Sequence, residues 1–155
     1  MIPVSFAQRR LWFLAQVEGS SATYNIPVVV GLSGPLDIAA LRSALTDVTG
    51  RHESLRTVFP MVDGNPEQRV LPVADALHRL HFEHLAVAPA AMDSAISSAL
   101  GSVFDLSCDI PIRAWVFSAT DLEQVLGSSC TGCAIGSWWT NCWTALNAAG
   151  ARPSW

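Results

Sequence analysis

Residues 51–59 read Arg51-His52-Glu53-Ser54-Leu55-Arg56-Thr57-Val58-Phe59, polar and ionisable groups set directly before an apolar, β-branched run. That order predicts a helix end feeding a strand. Arg51, His52 and Glu53 fall in the last turn of a helical pattern, where free carbonyls and the helix dipole favour cations. From Leu55 the period changes to two, with Leu55, Thr57 and Phe59 on one face and Arg56 and Val58 on the other. If the second face is covered, Arg56 is carried inward and its guanidinium needs a carboxylate. If it is open, Arg56 simply faces water.

Upstream, Ile38, Leu41, Leu45 and Val48 repeat at helical spacing, an amphipathic stripe that ends near Gly50 and delivers the chain to Arg51. Asp37 is the expected N-cap, and Gly34-Pro35 separates this helix from a Val- and Ile-rich strand over Tyr24 to Leu32. Pro27 restricts that strand to a sheet edge or a strand start, because proline has no N–H for the ladder. Further back, Ser5-Phe6-Ala7-Gln8 has the form of a capping box and opens a helix to about Gln16. Its stripe is Ala7, Leu11 and Leu14, flanked by Phe6, Phe13 and Val17, with Arg9 and Arg10 as a solvated edge.

Downstream, Asp63-Gly64-Asn65-Pro66 is a turn between strands over Leu55 to Met61 and Glu67 to Leu71, which makes a hairpin. Pro72 and Pro89 bracket a loop with a short strand around Leu80 to Leu85. Residues 91–103 form a third helix with Met92, Ile96, Ala99 and Val103 inward. Phe104-Asp105-Leu106 then leads to a strand over Ile112 to Phe117, opened by Pro111. Helices alternating with strands indicate a mixed α/β (α+β) layer, its helices packed on one sheet.

Three segments resemble one family. Arg51 to Phe59 is similar to the motif Arg-His-Glu-x-Leu-Arg-Thr-x-Phe of the condensation domains of nonribosomal peptide synthetases, matching at Arg51, His52, Glu53, Leu55, Arg56, Thr57 and Phe59. Ser5 to Leu14 resembles the opening motif of the same domains, Ser-x-Ala-Gln-x-Arg-Leu-Trp-x-Leu, matching at Ser5, Ala7, Gln8, Arg10, Leu11, Trp12 and Leu14. Order and separation are those of the family, and a Phe-Asp-Leu followed by Pro-Ile-Arg-Ala puts Arg113 at a matched position as well. The resemblance implies the N-terminal part of a two-lobed, chloramphenicol acetyltransferase-like fold, incomplete here. In it these residues are architectural, and the arginines brace the active-site loop.

By the same resemblance, the intact parent joins a phosphopantetheine-tethered acyl or peptidyl thioester to an acceptor amine as an amide. Carrier-protein domains are its partners and no cofactor is bound directly. The family's chemistry resides in His-His-x-x-x-Asp-Gly, with one histidine beside the amine and the thioester, and the Asp a partner for an arginine such as Arg56 or Arg113. In this chain Gln124-Val125-Leu126 runs instead into Gly127-Ser128-Ser129-Cys130. The four histidines, His52, His78, His81 and His84, lie upstream and no two are adjacent. No catalytic residue is therefore assigned. A catalytically silent fragment is expected, or else a non-catalytic piece that binds carrier or neighbouring domains. Cutting the domain near Leu126 would leave the edge of the Ile112 to Phe117 strand bare and prone to aggregation.

Composition sets further bounds. At 155 residues the chain can bury one core. Its net charge of -4 and pI near 5.4, with no basic stripe, exclude nucleic acid as a partner. All the cations are arginine, as GC-rich coding would produce. Charged residues are 14%, against the roughly 25% of an average domain, and the deficit is local. None stands between Glu123 and Arg152, whereas residues 127–155 hold most of the Trp and Cys. The chain therefore divides near Leu126 into a matching part, 1–126, and a non-matching tail, 127–155, frameshifted or disordered. Read as a real segment, 124–151 exceeds the roughly 20 residues that cross a bilayer. Ser128, Ser129, Thr131, Asn141 and Asn147 argue against insertion. No secretory signal surrounds Pro3, and Cys108 alone in the first 126 residues fits a reducing cytoplasm.

The remaining constellations carry little. Cys130-Thr131-Gly132-Cys133 is a CxxC, to which Cys142 could add a third thiolate, but zinc wants four ligands, usually in two spaced pairs. His78, His81 and His84 would splay on a strand, with His81 opposite the other two. A small membrane-anchored or metal-binding protein that uses the tail is thus the weaker alternative. Ser43, Ser94 and Asp93 sit on helix faces without a nucleophile elbow, and Gly31 and Gly34 make no phosphate loop.

Overall fold

The structure is a computed structural model that describes residues 2–17, 21–131 and 152–153. In chain order the elements are β1 (Ile2–Pro3), α1 (Phe6–Val17), β2 (Asn25–Ser33), α2 (Ile38–Arg51), β3 (Thr57–Val58), β4 (Met61–Val62), β5 (Asn65–Val70), α3 (Val73–Arg79), β6 (His81–Ala86), α4 (Met92–Leu100), β7 (Ile112–Ser118), β8 (Glu123–Thr131) and β9 (Arg152–Pro153). Short 3₁₀ turns occupy Glu53–Arg56 and Pro89–Ala91.

The helix starts follow from side chains that satisfy free amides. Ser5 N–H donates to Gln8 Oε1 at 2.7 Å and Gln8 N–H donates to Ser5 Oγ at 3.2 Å, a reciprocal capping box at the head of α1. Asp37 Oδ1 accepts from Ala40 N–H at 2.9 Å and caps α2. In the hairpin, Asp63 and Gly64 have φ of 49° and 78°, the left-handed pair that lets two residues join twisted strands.

The main sheet has the order β6-β7-β8-β2-β9, parallel between β6 and β7 and antiparallel elsewhere. The parallel pair is reached through α4, as a crossover requires. Leu41 and Leu45 of α2 and Ala76 of α3 pack on one face of this sheet, against Val30, Leu32, Ile112, Ala114, Val116, Leu126 and Cys130. Strand alternation puts Phe117 and Gly127 on the other face, beneath Leu100 of α4. The class is the mixed α/β one expected, with helices on a mixed sheet. The hairpin, however, builds a second small sheet in which β5 pairs β1, β3 and β4.

Several expectations are corrected. The chain does not enter a strand at Leu55. Glu53–Arg56 makes a 3₁₀ turn, closed by Leu55 N–H to His52 O and by Thr57 Oγ1 to Glu53 O, and the strand begins at Thr57. Leu55, Thr57, Val58 and Phe59 are all buried, so the two-face pattern is lost. The loop after Pro72 is a helix, α3, and the helix expected over 91–103 stops at Leu100. β7 is not an edge: β6 and β8 flank it along its length. The seam at Leu126 falls inside β8, and residues 127–131 are paired strand between β2 and β7. Beyond them, Cys133, Cys142 and residues 132–151 lie outside the described residues, and with them the frameshift, disorder, membrane-span and CxxC readings. No helix among the described residues is long and apolar enough to cross a membrane.

Candidate functional site

The two long motifs meet across β5. Gln68 Nε2 of that strand donates to Gln8 Oε1 of α1 at 2.9 Å and to Pro3 O at 3.0 Å. Gln8 then lines a cavity of about 190 Å³ together with Glu53, Thr57 and Phe59 of the second motif. Gln68, which makes the bridge, carried no signal in the sequence, because its role depends on tertiary pairing alone. Elsewhere on α1, Leu11 and Trp12 are half-buried and Ser5, Ala7 and Arg10 are exposed. At the end of α2, Arg51 is exposed and the amide of His52 closes the helix on Val48 O.

Arg56 is carried inward, with its side chain 14% exposed. Its Nη1 donates to the buried Leu71 carbonyl at 2.6 Å and its Nη2 lies 3.2 Å from Glu53, a carboxylate 71% exposed. Nε is buried without a partner. Arg113 stands apart, in β7. It pairs with Asp109 at 2.7 Å, donates to Ser102 Oγ at 3.0 Å and lies over the Phe104 ring at 4.3 Å. Each arginine thus has partners within the described residues, Arg56 at Glu53 and Leu71 and Arg113 at Ser102 and Asp109. Ser107 donates its hydroxyl and then its amide to Asp105, which holds that carboxyl below its ordinary value.

The segments that hold the two arginines meet. Phe59 N–H donates to Leu106 O at 2.7 Å and Asn25 Nδ2 donates to Ser102 O at 2.9 Å. Leu11 of α1, Tyr24, Asn25, Phe104, Leu106 and the last β8 residue, Thr131, line a narrow cleft of about 20 Å³. The thiol beside it, Cys130, is buried and pushed up to about 11 by that burial, so it is not a ready nucleophile. These groups surround the end of β8, and the hydrogen bonds of Arg56, Gln68 and Asn25 include bonds to backbone carbonyls.

The histidine trio is taken apart. His78 is exposed on α3, whereas His81 and His84 point to opposite faces of β6. His81 sits 3.6 Å from Glu83 and against Trp115, and His84 Nε2 lies 2.7 Å from Ser118 Oγ. Among the described residues, no three His, Cys, Asp or Glu are grouped to hold a metal.

Comparison with known proteins agrees with this frame. The family model described as Condensation domain matches residues 1–130. A probable non-canonical nonribosomal peptide synthetase of Salinispora arenicola is 50% identical over 126 residues, 81% of this chain and 2% of that protein. An isonitrile lipopeptide synthase of Mycobacterium tuberculosis is 43% identical over 162 aligned residues, 99% of this chain and 6% of that protein. The chain therefore spans only a few hundredths of these relatives. Among solved structures, the X-domain from teicoplanin biosynthesis superposes with a TM-score of 0.79 at 27% identity, over 99% of this chain and 34% of that one. The starter condensation domain of rhizomide synthetase gives 0.80 at 17% identity, over 99% and 39%, a likeness of fold. With its motifs joined across β5 and its fold the chloramphenicol acetyltransferase-like one, this chain belongs to the condensation-domain family of nonribosomal peptide synthetases.

Proposed function

We propose that residues 1–131 are the leading part of a condensation domain in which the frame is intact and the reacting group is absent, so that the chain as it stands forms no amide. In the parent reaction the acceptor nitrogen attacks the carbonyl of a phosphopantetheine-tethered thioester. A C–N bond forms, the C–S bond breaks, the thiol leaves and the nitrogen gives up a proton. A positioned histidine is worth about 10²–10⁴-fold in handling that proton. The observation that carries the proposal is the end of β8. The strand reaches the cleft of Leu11, Tyr24 and Leu106 as Ser129-Cys130-Thr131, and Gly132-Cys133-Ala134-Ile135 follow in sequence without a histidine. The test is to incubate the purified chain with acyl-loaded donor and aminoacyl-loaded acceptor carrier proteins and follow products by mass spectrometry. Amide above the protein-free background refutes the proposal.

A second reading, a non-catalytic piece that binds carrier domains, is favoured by α1. No residue of this helix is fully buried, and Phe6, Phe13 and Val17 are 92%, 59% and 65% exposed. Titrating a labelled carrier protein with the chain should shift carrier resonances, and Phe13→Ser should reduce the shifts. Equal shifts from a variant unfolded by design would remove this reading.

A further inference from the structure

At the end of the sheet away from the β8 cleft, Ser118 closes β7 and His84 lies on the parallel neighbour β6. Register pairs His84 with Val116 and Ala86 with Ser118, so the imidazole reaches along its own face to the hydroxyl, Nε2 to Oγ 2.7 Å. The serine backbone is held from two sides, since Ser118 pairs with Gln124 of β8 and its carbonyl accepts from Val87 N–H at 3.0 Å. A hydroxyl on a fixed strand end within hydrogen-bond reach of an exposed imidazole has the geometry of a nucleophile and its general base. Both side chains open on a cavity of about 430 Å³ whose walls include Pro35, Leu36, Ile38 and Ala119. Among the described residues that line it, Asp121 is the one acidic side chain and none is Arg or Lys.

We propose that Ser118 and His84 form a nucleophilic site, separate from the β8 cleft, that takes up the short acyl group of a neutral, activated carboxylic ester. Asp121 on the wall disfavours anionic esters, and the apolar walls suit a short alkyl chain. With Nε2 unprotonated, Ser118 O–H donates to it. Oγ then attacks the carbonyl carbon, His84 takes the proton, the bond to the leaving phenolate breaks, and the imidazolium returns the proton to it. Water attacking the acyl-serine, with His84 again as base, gives the carboxylic acid and restores Ser118. The turn after β7 commits four of its amides, which leaves Asp121 N–H as the one backbone donor there with no hydrogen bond among the described residues. Ala119 and Thr120 N–H donate to Glu123 O, and Leu122 and Glu123 N–H donate to Thr120 Oγ1. With at most one such donor for the tetrahedral oxyanion, each worth about 10²–10³-fold, the site is confined to esters with good leaving groups and does not reach amides.

The probe is p-nitrophenyl butyrate with the full chain, following nitrophenolate release and mapping butyrylated peptides by mass spectrometry. Ser118 should be butyrylated faster than the exposed helix serines Ser43 and Ser94, which serve as internal references in the same sample. Ser118→Ala should give no butyrylation at that position, and His84→Gln, at an exposed site, should slow labelling of Ser118 by about 10²–10⁴-fold. Labelling of Ser118 no faster than of Ser94, or an unchanged rate in His84→Gln, overturns the proposal. The readout is an acyl-serine from a free ester, so it is independent of whether the chain forms amides between carriers.

Discussion

Arg56 tests which of two contacts holds the motif segment. Its Nη1 bond to the Leu71 carbonyl is 2.6 Å long and that carbonyl belongs to a residue only 6% exposed, whereas Glu53 is 71% exposed. A charge-assisted bond to a buried acceptor contributes about 1.5–3 kcal/mol, and an ion pair with an exposed carboxylate about 0.2–1 kcal/mol. Against this, Arg56→Met removes a buried Nε that has no partner, which offsets about 1 kcal/mol. Arg56→Met, which keeps most of the apolar stem, should therefore destabilise the chain by about 1–3 kcal/mol, and Arg56→Ala by more, because the stem's packing goes too. Glu53→Gln alone should cost no more than about 1 kcal/mol, and the coupling between the two sites should be similarly small. Urea unfolding of the two single variants and the double variant measures all three terms. The carbonyl clamp predicts that the Arg56→Met loss survives high salt. A coupling energy as large as the whole Arg56→Met effect, or a loss that vanishes in salt, would show that the ion pair is what matters.

Other outcomes follow from the same geometry. Ser5→Ala should loosen α1 by about 0.5–2 kcal/mol, seen as faster hydrogen exchange confined to that helix, since the helix buries no residue fully and can fray alone. The depressed Asp105 carboxyl contributes stability that is present above its unfolded value and lost as pH falls through its lower folded value; a urea midpoint series below pH 5 should fall less steeply in Asp105→Asn. Ser129 is fully buried with an unbonded Oγ, so Ser129→Ala should raise stability by about 1 kcal/mol, and a lower urea midpoint would contradict this. Iodoacetamide with peptide mapping should modify the exposed Cys108 before the buried Cys130, whose thiol burial pushes up to about 11.

What was legible beforehand was what depends on near neighbours. The Ser5-Gln8 box, the Asp37 cap and the Leu41 and Leu45 stripe are each decided within a few residues and stand where the sequence places them, and the turn expected over Asp63 to Pro66 tightens to Asp63-Gly64, with Asn65 and Pro66 in β5. α3 was hidden because Val73–Arg79 is only two turns long, has no side-chain cap and buries Ala76 alone. The strand expected from Leu55 failed because alternation presumes one covered face, whereas this segment is buried on both. The alternation leaves Arg56 either inward and in want of a carboxylate or facing water; it lies inward, and its closest bond goes to the Leu71 carbonyl, fifteen residues on. Gln68 and Asn25, which tie the motifs and loops together, act over separations that no local pattern encodes.

β8 shows how a central strand of weak sequence is held in place. Gly127-Ser128-Ser129-Cys130-Thr131 is poor strand material, small and polar where a central strand is normally branched and apolar. Even so it is held along its whole length, from Glu123 against Ser33 to Thr131 against Asn25 on one side, and from Gln124 against Ser118 to Cys130 against Ile112 on the other. Ladder bonds belong to the backbone and do not depend on the side chains they carry. Two long, well-packed neighbours can therefore hold a weak segment in register, while Ser128 Oγ donates to Arg113 O and Ser129 keeps its hydroxyl unpaired. The place to which β8 delivers Thr131 is fixed by β2 and β7. A central strand can thus keep its register while its side chains become small and polar.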